Sequence, residues 1–209
     1  MADWVTISSL ATAGGTLVLA VATFASVRSA NRAARIAEVS VLSGLRPLLM
    51  PSRLDDPVQK VGFFDNRWFS VSGGSGVAEA TDDAVYLVMS LRNVGSGIAV
   101  LHGWWFSDRP TGVAEPPPLD EMIRLNRDLY ISAGDIGFWQ GAFRDRSSEE
   151  FVLAHRLVED RQRFAIAVMY GDLEGGQRTI TRFGLTPRPD GGWLVAASRV
   201  WNVDRPAPR

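Results

Sequence analysis

Polar and apolar positions divide this chain into two unlike parts. From Trp4 to Val27 no side chain is charged. As a helix rising about 1.5 Å per residue, such a run reaches about 36 Å, enough to cross a hydrocarbon core of about 30 Å. Nine of its residues are Gly, Ser or Thr, so it is only moderately hydrophobic. Small hydroxyl residues that bond back to the helix backbone are tolerated in lipid. Three readings compete: a retained membrane anchor, a cleaved signal peptide and a buried soluble helix. A signal peptide carries positive charge before its apolar run and a small-x-small cleavage site after it. Here Asp3 is the only side-chain charge ahead of the run, and no clean site follows. A buried helix usually shows a polar stripe, and no charge appears here for more than six turns. The flanks favour a transmembrane helix over 5–27, with 1–4 as a short tail and Trp4 as an interfacial aromatic.

Arg28, Arg32 and Arg35 follow on one helix face. Basic residues beside a span are retained in the cytoplasm, which puts the remainder of the chain there. The α-amino group on the far side weakens that asymmetry. The helical pattern runs on as a juxtamembrane neck over 28–46, weakened at Gly44 and ended by Pro47. Ser9, Ala13, Thr16, Ala20, Thr23, Val27, Ala30, Ala34, Ala37, Val41 and Gly44 recur at alternating steps of four and three. A seam of small residues lets helices approach closely, so a homo-oligomer through it is a candidate.

After Pro47 the pattern changes to short runs of period two divided by turn residues. "PLLMP" is a short apolar stretch, and "VGFFDNRWFSV" reads as a hairpin turning at Asp65-Asn66. "GGSG" at 73–76 reads as a flexible loop. In "AVYLVMSLRN" Val85, Leu87, Met89 and Leu91 alternate with Tyr86, Val88, Ser90 and Arg92. "IAVLHGWWFS" is the next strand, "DRPTGVAEPPP" a loop, and "RDLYI" and "IGFWQGAF" flank the turn "SAGD". "SSEEFVLAHRLVED" reads as one short helix, with Ser147 and Glu150 as its capping box. "RFAIAVMYGD" and "QRTITRFGL" form a hairpin around "LEGG", and "GWLVAASRVW" is the last strand. Roughly eight strands about ten residues apart predict an antiparallel β-sandwich over 47–203, before a tail at 204–209.

"LRNVGSGIA", with Asn93, Gly95 and Gly97 closing a strand, resembles the strand-end motif of bacterial immunoglobulin-like domains. The wider layout is similar to a loose group of bacterial single-span proteins. In these a membrane helix and helical neck reach an Arg-Pro dipeptide, here Arg46-Pro47, ahead of a β-sandwich. Residues 170–185, "YGDLEGGQRTITRFGL", resemble their late hairpin. The resemblance implies a mainly β, immunoglobulin-like fold behind a membrane anchor. It implies no activity, and the chain departs from antibody domains in having no cysteine pair.

Composition narrows the chemistry. The 209 residues include no cysteine, which excludes disulfides, zinc thiolates and thiol catalysis. Net charge is −1, so nothing pulls the whole chain toward nucleic acid. Lys60 is the only lysine among many arginines, a bias expected of a GC-rich bacterial genome. His102 and His155 lie 53 residues apart, without the clustered ligands that a metal site needs. Asp55-Asp56, Asp82-Asp83 and Glu149-Glu150 are adjacent pairs, and neighbours on a strand point to opposite faces. The glycine clusters lack the lysine of a phosphate loop, and no serine stands in a nucleophile elbow. No cofactor is expected. Seven tryptophans are many for this length. Trp104 and Trp105 are adjacent on a strand and cannot both face the core, so one of them, or parts of Trp68, Trp139, Trp193 or Trp201, is a candidate interaction surface.

These features predict a membrane-anchored, non-enzymatic interaction module, touching lipid through one helix and binding an unknown protein partner or a small ligand. The alternatives are an accessory subunit of a larger membrane complex, and an enzyme whose site is not visible in the sequence. The anchor has a direct test. Alkaline carbonate should leave the protein in the membrane pellet. A single cysteine placed at Ser75 or Ser148 should resist an impermeant maleimide in intact cells and react after lysis. Release by carbonate, or labelling before lysis, reverses the respective assignment.

Overall fold

The computed structural model describes residues 3–110 and 114–204. The side chain of Trp4, the expected interfacial aromatic, and most of both expected tails lie outside the described residues. The chain divides into two units, Met1–Gly44 and Leu45–Arg209. The first is one unbroken helix, α1 (Trp4–Gly44), of 41 residues. Span and neck are therefore a single rod about 60 Å long, which stops at Gly44, three residues before Pro47. It is the one helix among the described residues long and apolar enough to cross a membrane. Thr12, Thr16 and Thr23 each donate their hydroxyl to the carbonyl four residues back, at 2.9, 2.8 and 2.8 Å. Those hydroxyls need no water.

The second unit is mainly β. Its strands are β1 (Leu49–Pro51), β2 (Gln59–Gly62), β3 (Trp68–Val71), β4 (Ser75–Ala80), β5 (Val85–Asn93), β6 (Ala99–Ser107), β7 (Ile123–Ile131), β8 (Ile136–Phe143), β9 (Phe164–Gly171), β10 (Thr179–Pro187) and β11 (Trp193–Asn202). One helix, α2 (Glu149–Glu159), separates β8 from β9. Nine strands form one antiparallel sheet, and β2 and β3 pair separately as the expected hairpin. The path runs β8-β5-β4-β11-β10-β9-β6-β7, with β1 and β4 sharing the side of β5 that β8 leaves.

The expected sandwich has two sheets, whereas nine strands here lie on one path that does not close. β8, β5, β1 and β4 form one group of strands, and β11, β10, β9, β6 and β7 form the other. β4 stitches them together through Gly76 with Trp193 and Ser75 with Leu194. Ser75 and Gly76 belong to the stretch read as a flexible loop, so the sequence reading missed the strand that joins the groups. On the other side the sheet is open. Among the described residues β7 pairs only with β6 and β8 only with β5, although the two follow each other in sequence.

One core fills the space between the groups. Val85, Leu87, Met89 and Leu91 of β5 enter it at the expected alternate positions, facing Phe164, Ile166, Val168 and Tyr170 of β9. Trp104 and Trp139 meet edge to face across it, centroids 5.2 Å apart. Full burial of such side chains contributes about 1.5–3 kcal/mol each. The other face of β5 is also covered: Tyr86 and Val88 pack under Val61, Phe63, Phe69 and Val71 of the hairpin and its turn. Helix α2 buries Phe151, Ala154, Leu157 and Val158. Its N-cap is Ser148, whose Oγ accepts from the Phe151 amide at 3.1 Å. The expected cap, Ser147, instead donates to Asp145 at 2.6 Å, so the capping register moves by one residue.

Asn93 closes β5 as the strand-end motif predicts, and the structure supplies the reason. The residue is fully buried. Its Oδ1 accepts from the amides of Leu48 and Gly95, at 3.1 and 3.0 Å. Its Nδ2 donates to the carbonyls of Gly97 and Ile131, at 2.6 and 3.0 Å. A Cβ at position 97 would overlap the Leu45 carbonyl oxygen, so only glycine lets the two segments lie this close. Asn93→Ala removes four bonds to backbone groups, two of them fully buried, and each buried group left without a partner costs about 1–3 kcal/mol. The variant should lose about 3 kcal/mol or more, read as a lower urea midpoint. A midpoint within error of the parent removes Asn93 from the framework.

Candidate functional site

A concavity of the β-unit lies on the open side of the sheet. It is a groove of about 620 Å³ between the β2–β3 hairpin and β7. Its floor is β8, through Phe138, Gln140, Gly141 and Ala142, together with an edge of Trp104. A shallower cleft of about 410 Å³ continues it toward the β7–β8 turn, and the two share Lys60, Leu129 and Phe138.

The hairpin wall is built on Phe63, which packs edge to face with Phe69 and Tyr86 at 5.7 and 5.0 Å. Because Phe63 points inward, its neighbour Phe64 must point out, and 78% of it is exposed. Asn66 takes the turn with φ of 60°. Trp68, on the return strand, is 68% exposed, and its ring lies flat on Gly62 where a Cβ would not fit. Arg144 fastens this wall to the sheet. Its guanidinium sits 4.3 Å over the Phe64 ring and 3.1 Å from Asp65 Oδ2. The Tyr86 hydroxyl donates to the same oxygen at 2.6 Å. Those bonds, first from Tyr86 and then from Arg144, hold the Asp65 carboxyl below its ordinary range. The bond to Asp65, with burial, pushes the Tyr86 hydroxyl up.

The facing wall carries Ile123, Arg124, Leu125, Arg127 and Leu129 of β7. Against β6 the register jumps, so that residues 125–128 of β7 bulge out between paired Arg124 and Leu129. Arg127 crosses to β8 and donates to Gln140 Oε1 at 2.8 Å, with its guanidinium 5.7 Å from the Phe138 ring centre. No aspartate or glutamate lines the groove. Among the described residues Lys60, Arg124 and Arg127 form no ion pair.

The surface expected at Trp104 and Trp105 lies elsewhere. Trp104 is only 2% exposed, held by Trp139 and Phe143. Trp105 is half-buried on the opposite face of β6, against Met122, Ala167, Ile180 and Trp201. Trp139, Trp193 and Trp201 are buried as well. Of the tryptophans named from the sequence, Trp68 reaches the groove with an exposed ring. Sequence reasoning missed Phe64, Arg124, Arg127 and Arg144. The adjacent Phe63-Phe64 beside a hairpin turn was the available signal, since one of two neighbours on such a turn faces solvent.

Remaining candidates are scattered. His102 sits at the bulge of β6, where burial first and Arg178 second push its pKa down. His155 lies on α2 beside Glu159, at 3.6 Å. Asp56 binds Arg92 at 2.5 Å, and Asp83 binds Arg146 at 3.4 Å. Glu149 and Glu150 occupy the first turn of α2, where their charge complements the helix dipole. Arg28, Arg32 and Arg35 are exposed on α1. Outside the groove, Arg182 is almost fully buried and donates to Ser107 Oγ at 3.2 Å and to the Arg109 carbonyl, pinning the start of the β6–β7 loop. A scan against family models matches no family, and a search of curated proteins finds no matching relative.

The Asp65 bonds give the hairpin wall a pH dependence. A folded pKa below the unfolded value of about 3.9 means that the contribution is complete above that value. It is lost as pH falls through the lower folded pKa. Urea midpoints taken from about pH 5 down to about pH 2.5 should therefore fall less steeply in Asp65→Asn than in the parent. Parallel profiles overturn this role for Asp65.

Proposed function

We propose that this chain is a membrane-anchored, non-enzymatic binding module whose β-unit takes an anionic partner in the β8 groove. The observation that supports it most is the groove's composition: three cations without a carboxylate partner, two exposed aromatic rings, and no acid in the lining. Uncompensated positive charge in a concave site attracts an anion, and exposed aromatics add contact area at low entropic cost. In this reading α1 holds the protein in the membrane, and Arg28, Arg32 and Arg35 keep the β-unit in the cytoplasm. Kinship with bacterial immunoglobulin-like anchored proteins belongs to the same reading. It is supported by the Asn93 clamp and by strands that fall into two facing groups.

The seam of small residues on α1 favours a second reading, an accessory subunit for which the helix itself is the binding element. Site-specific crosslinking separates the two. A photoreactive benzoylphenylalanine at Phe64 should capture a discrete partner in intact cells, and Arg124→Glu with Arg127→Glu should remove the adduct. The same probe at Val152, exposed on α2, should capture nothing comparable. Adducts from α1 positions alone favour the second reading.

A further inference from the structure

The floor of the groove is more than a surface of side chains. β8 is hydrogen-bonded to β5 along Ile136–Phe143, and its other edge has no strand partner among the described residues. No other backbone bond from 137–143 closes that edge. Along an open edge, backbone N–H and C=O groups are left to water or to an added strand. Most sheets shield such an edge with charge, a bulge or a cover. Here the bulge lies on β7, across the groove, and β8 stays regular over eight residues.

The two walls differ in chemistry. The hairpin offers the exposed rings of Phe64 and Trp68, and β7 offers the guanidinium groups of Arg124 and Arg127, neither in an ion pair among the described residues and the second bonded to Gln140. Lys60 stands where the groove passes into the shallower cleft. Gln59 also lines that cleft.

We infer that the groove binds an extended acidic peptide, which adds as a strand to the free edge of β8. This deepens the binding-module reading and rests on it. Side chains of an extended chain alternate between two sides. Apolar residues of the peptide lie along Phe64 and Trp68, and carboxylates lie along Arg124 and Arg127. The edge discriminates against other anions. A lipid phosphate or a nucleic acid backbone supplies acceptors only, whereas a strand edge presents donors and acceptors in turn, and a second peptide backbone matches both.

The test uses the full chain in phosphatidylcholine nanodiscs and a fluorescein-labelled decapeptide of alternating glutamate and valine, read by anisotropy. Two further versions carry N-methyl groups on all glutamate or all valine amides, so that each blocks one backbone edge. Saturable binding of the parent peptide is expected. Arg124→Glu with Arg127→Glu should weaken it by about tenfold or more. One N-methylated version, and not the other, should weaken by about tenfold. Hydrogen exchange of amides in 137–143 should slow on binding. Equal affinity of both N-methylated peptides, or unchanged exchange, overturns strand addition. If the charge reversal still weakens binding, the groove keeps its binding role with another anion. Absence of peptide binding, with groove exchange slowed instead by phosphatidylglycerol added to the nanodisc, overturns the peptide in favour of a lipid headgroup. Absence of any binding overturns it outright.

Discussion

A buried carboxamide has two donor sites and two acceptor sites, and in Asn93 all four meet backbone groups, drawn from three segments. The residue joins the entry to β1, the Gly95–Gly97 connection and the end of β7, while standing at the end of β5. Backbone bonds from Asn93 also reach the β7–β8 turn, at Gly134 and Asp135. These bonds tie together β5 and the turn from which β7 and β8 depart. The two strands are close there: a Cβ on Gly137 would press into the Ile131 side chain. Beyond that point no ladder forms between them. The same clamp therefore fixes one end of the groove and leaves the rest of the two edges apart.

An unclosed sheet needs compensation, and the core supplies it. Trp104 from β6 and Trp139 from β8 meet across the open side, and Phe106 meets Phe143 at 5.5 Å beside them. Aromatic contacts of this kind hold two groups of strands together without hydrogen bonds between their edges. The hairpin adds a second layer over the outer face of β5, fixed by Phe63 and by the Tyr86–Asp65–Arg144 cluster. The features that define the groove are therefore rigid at their roots and exposed at their tips. Phe64 and Trp68 contribute little to the core, and Phe63 and Phe69 do that work beside them.

Much of this fold was legible in the sequence, and the exceptions share a cause. Long alternating runs such as 85–93 identified themselves, as did the hairpin turn at Asp65-Asn66 and the stop of α1 before Pro47. β4 escaped because its first residues, Ser75 and Gly76, carry no strand signal of their own. Their pairing with β11 comes from chain segments more than a hundred residues away. That missing strand is also why two sheets were expected where one path is found. The site was less legible. Adjacent tryptophans suggested a surface at Trp104 and Trp105, but the bulge at His102 turns Trp104 into the core and Trp105 onto a second packed layer. The cations without a carboxylate partner, Lys60, Arg124 and Arg127, come from β2 and β7, and nothing local to either strand announces that they line one groove.

In the proposed reading, a membrane anchor and a peptide-binding groove complement each other in quantitative terms. Strand addition to an eight-residue edge offers few contacts, and exposed cations are screened over about 8 Å at physiological salt. Affinity from such a groove alone is modest, and the charges act mainly on encounter and selectivity. Confinement to a membrane changes that balance when the partner is confined there too. Tethering raises the effective concentration of one site for another to the millimolar range without any new contact. A weak groove on an anchored chain is then occupied by partners in the same membrane and passed over by soluble acidic peptides at lower concentration. In the proposed reading selectivity comes from confinement to the membrane, and the groove needs only to recognise charge and an extended backbone.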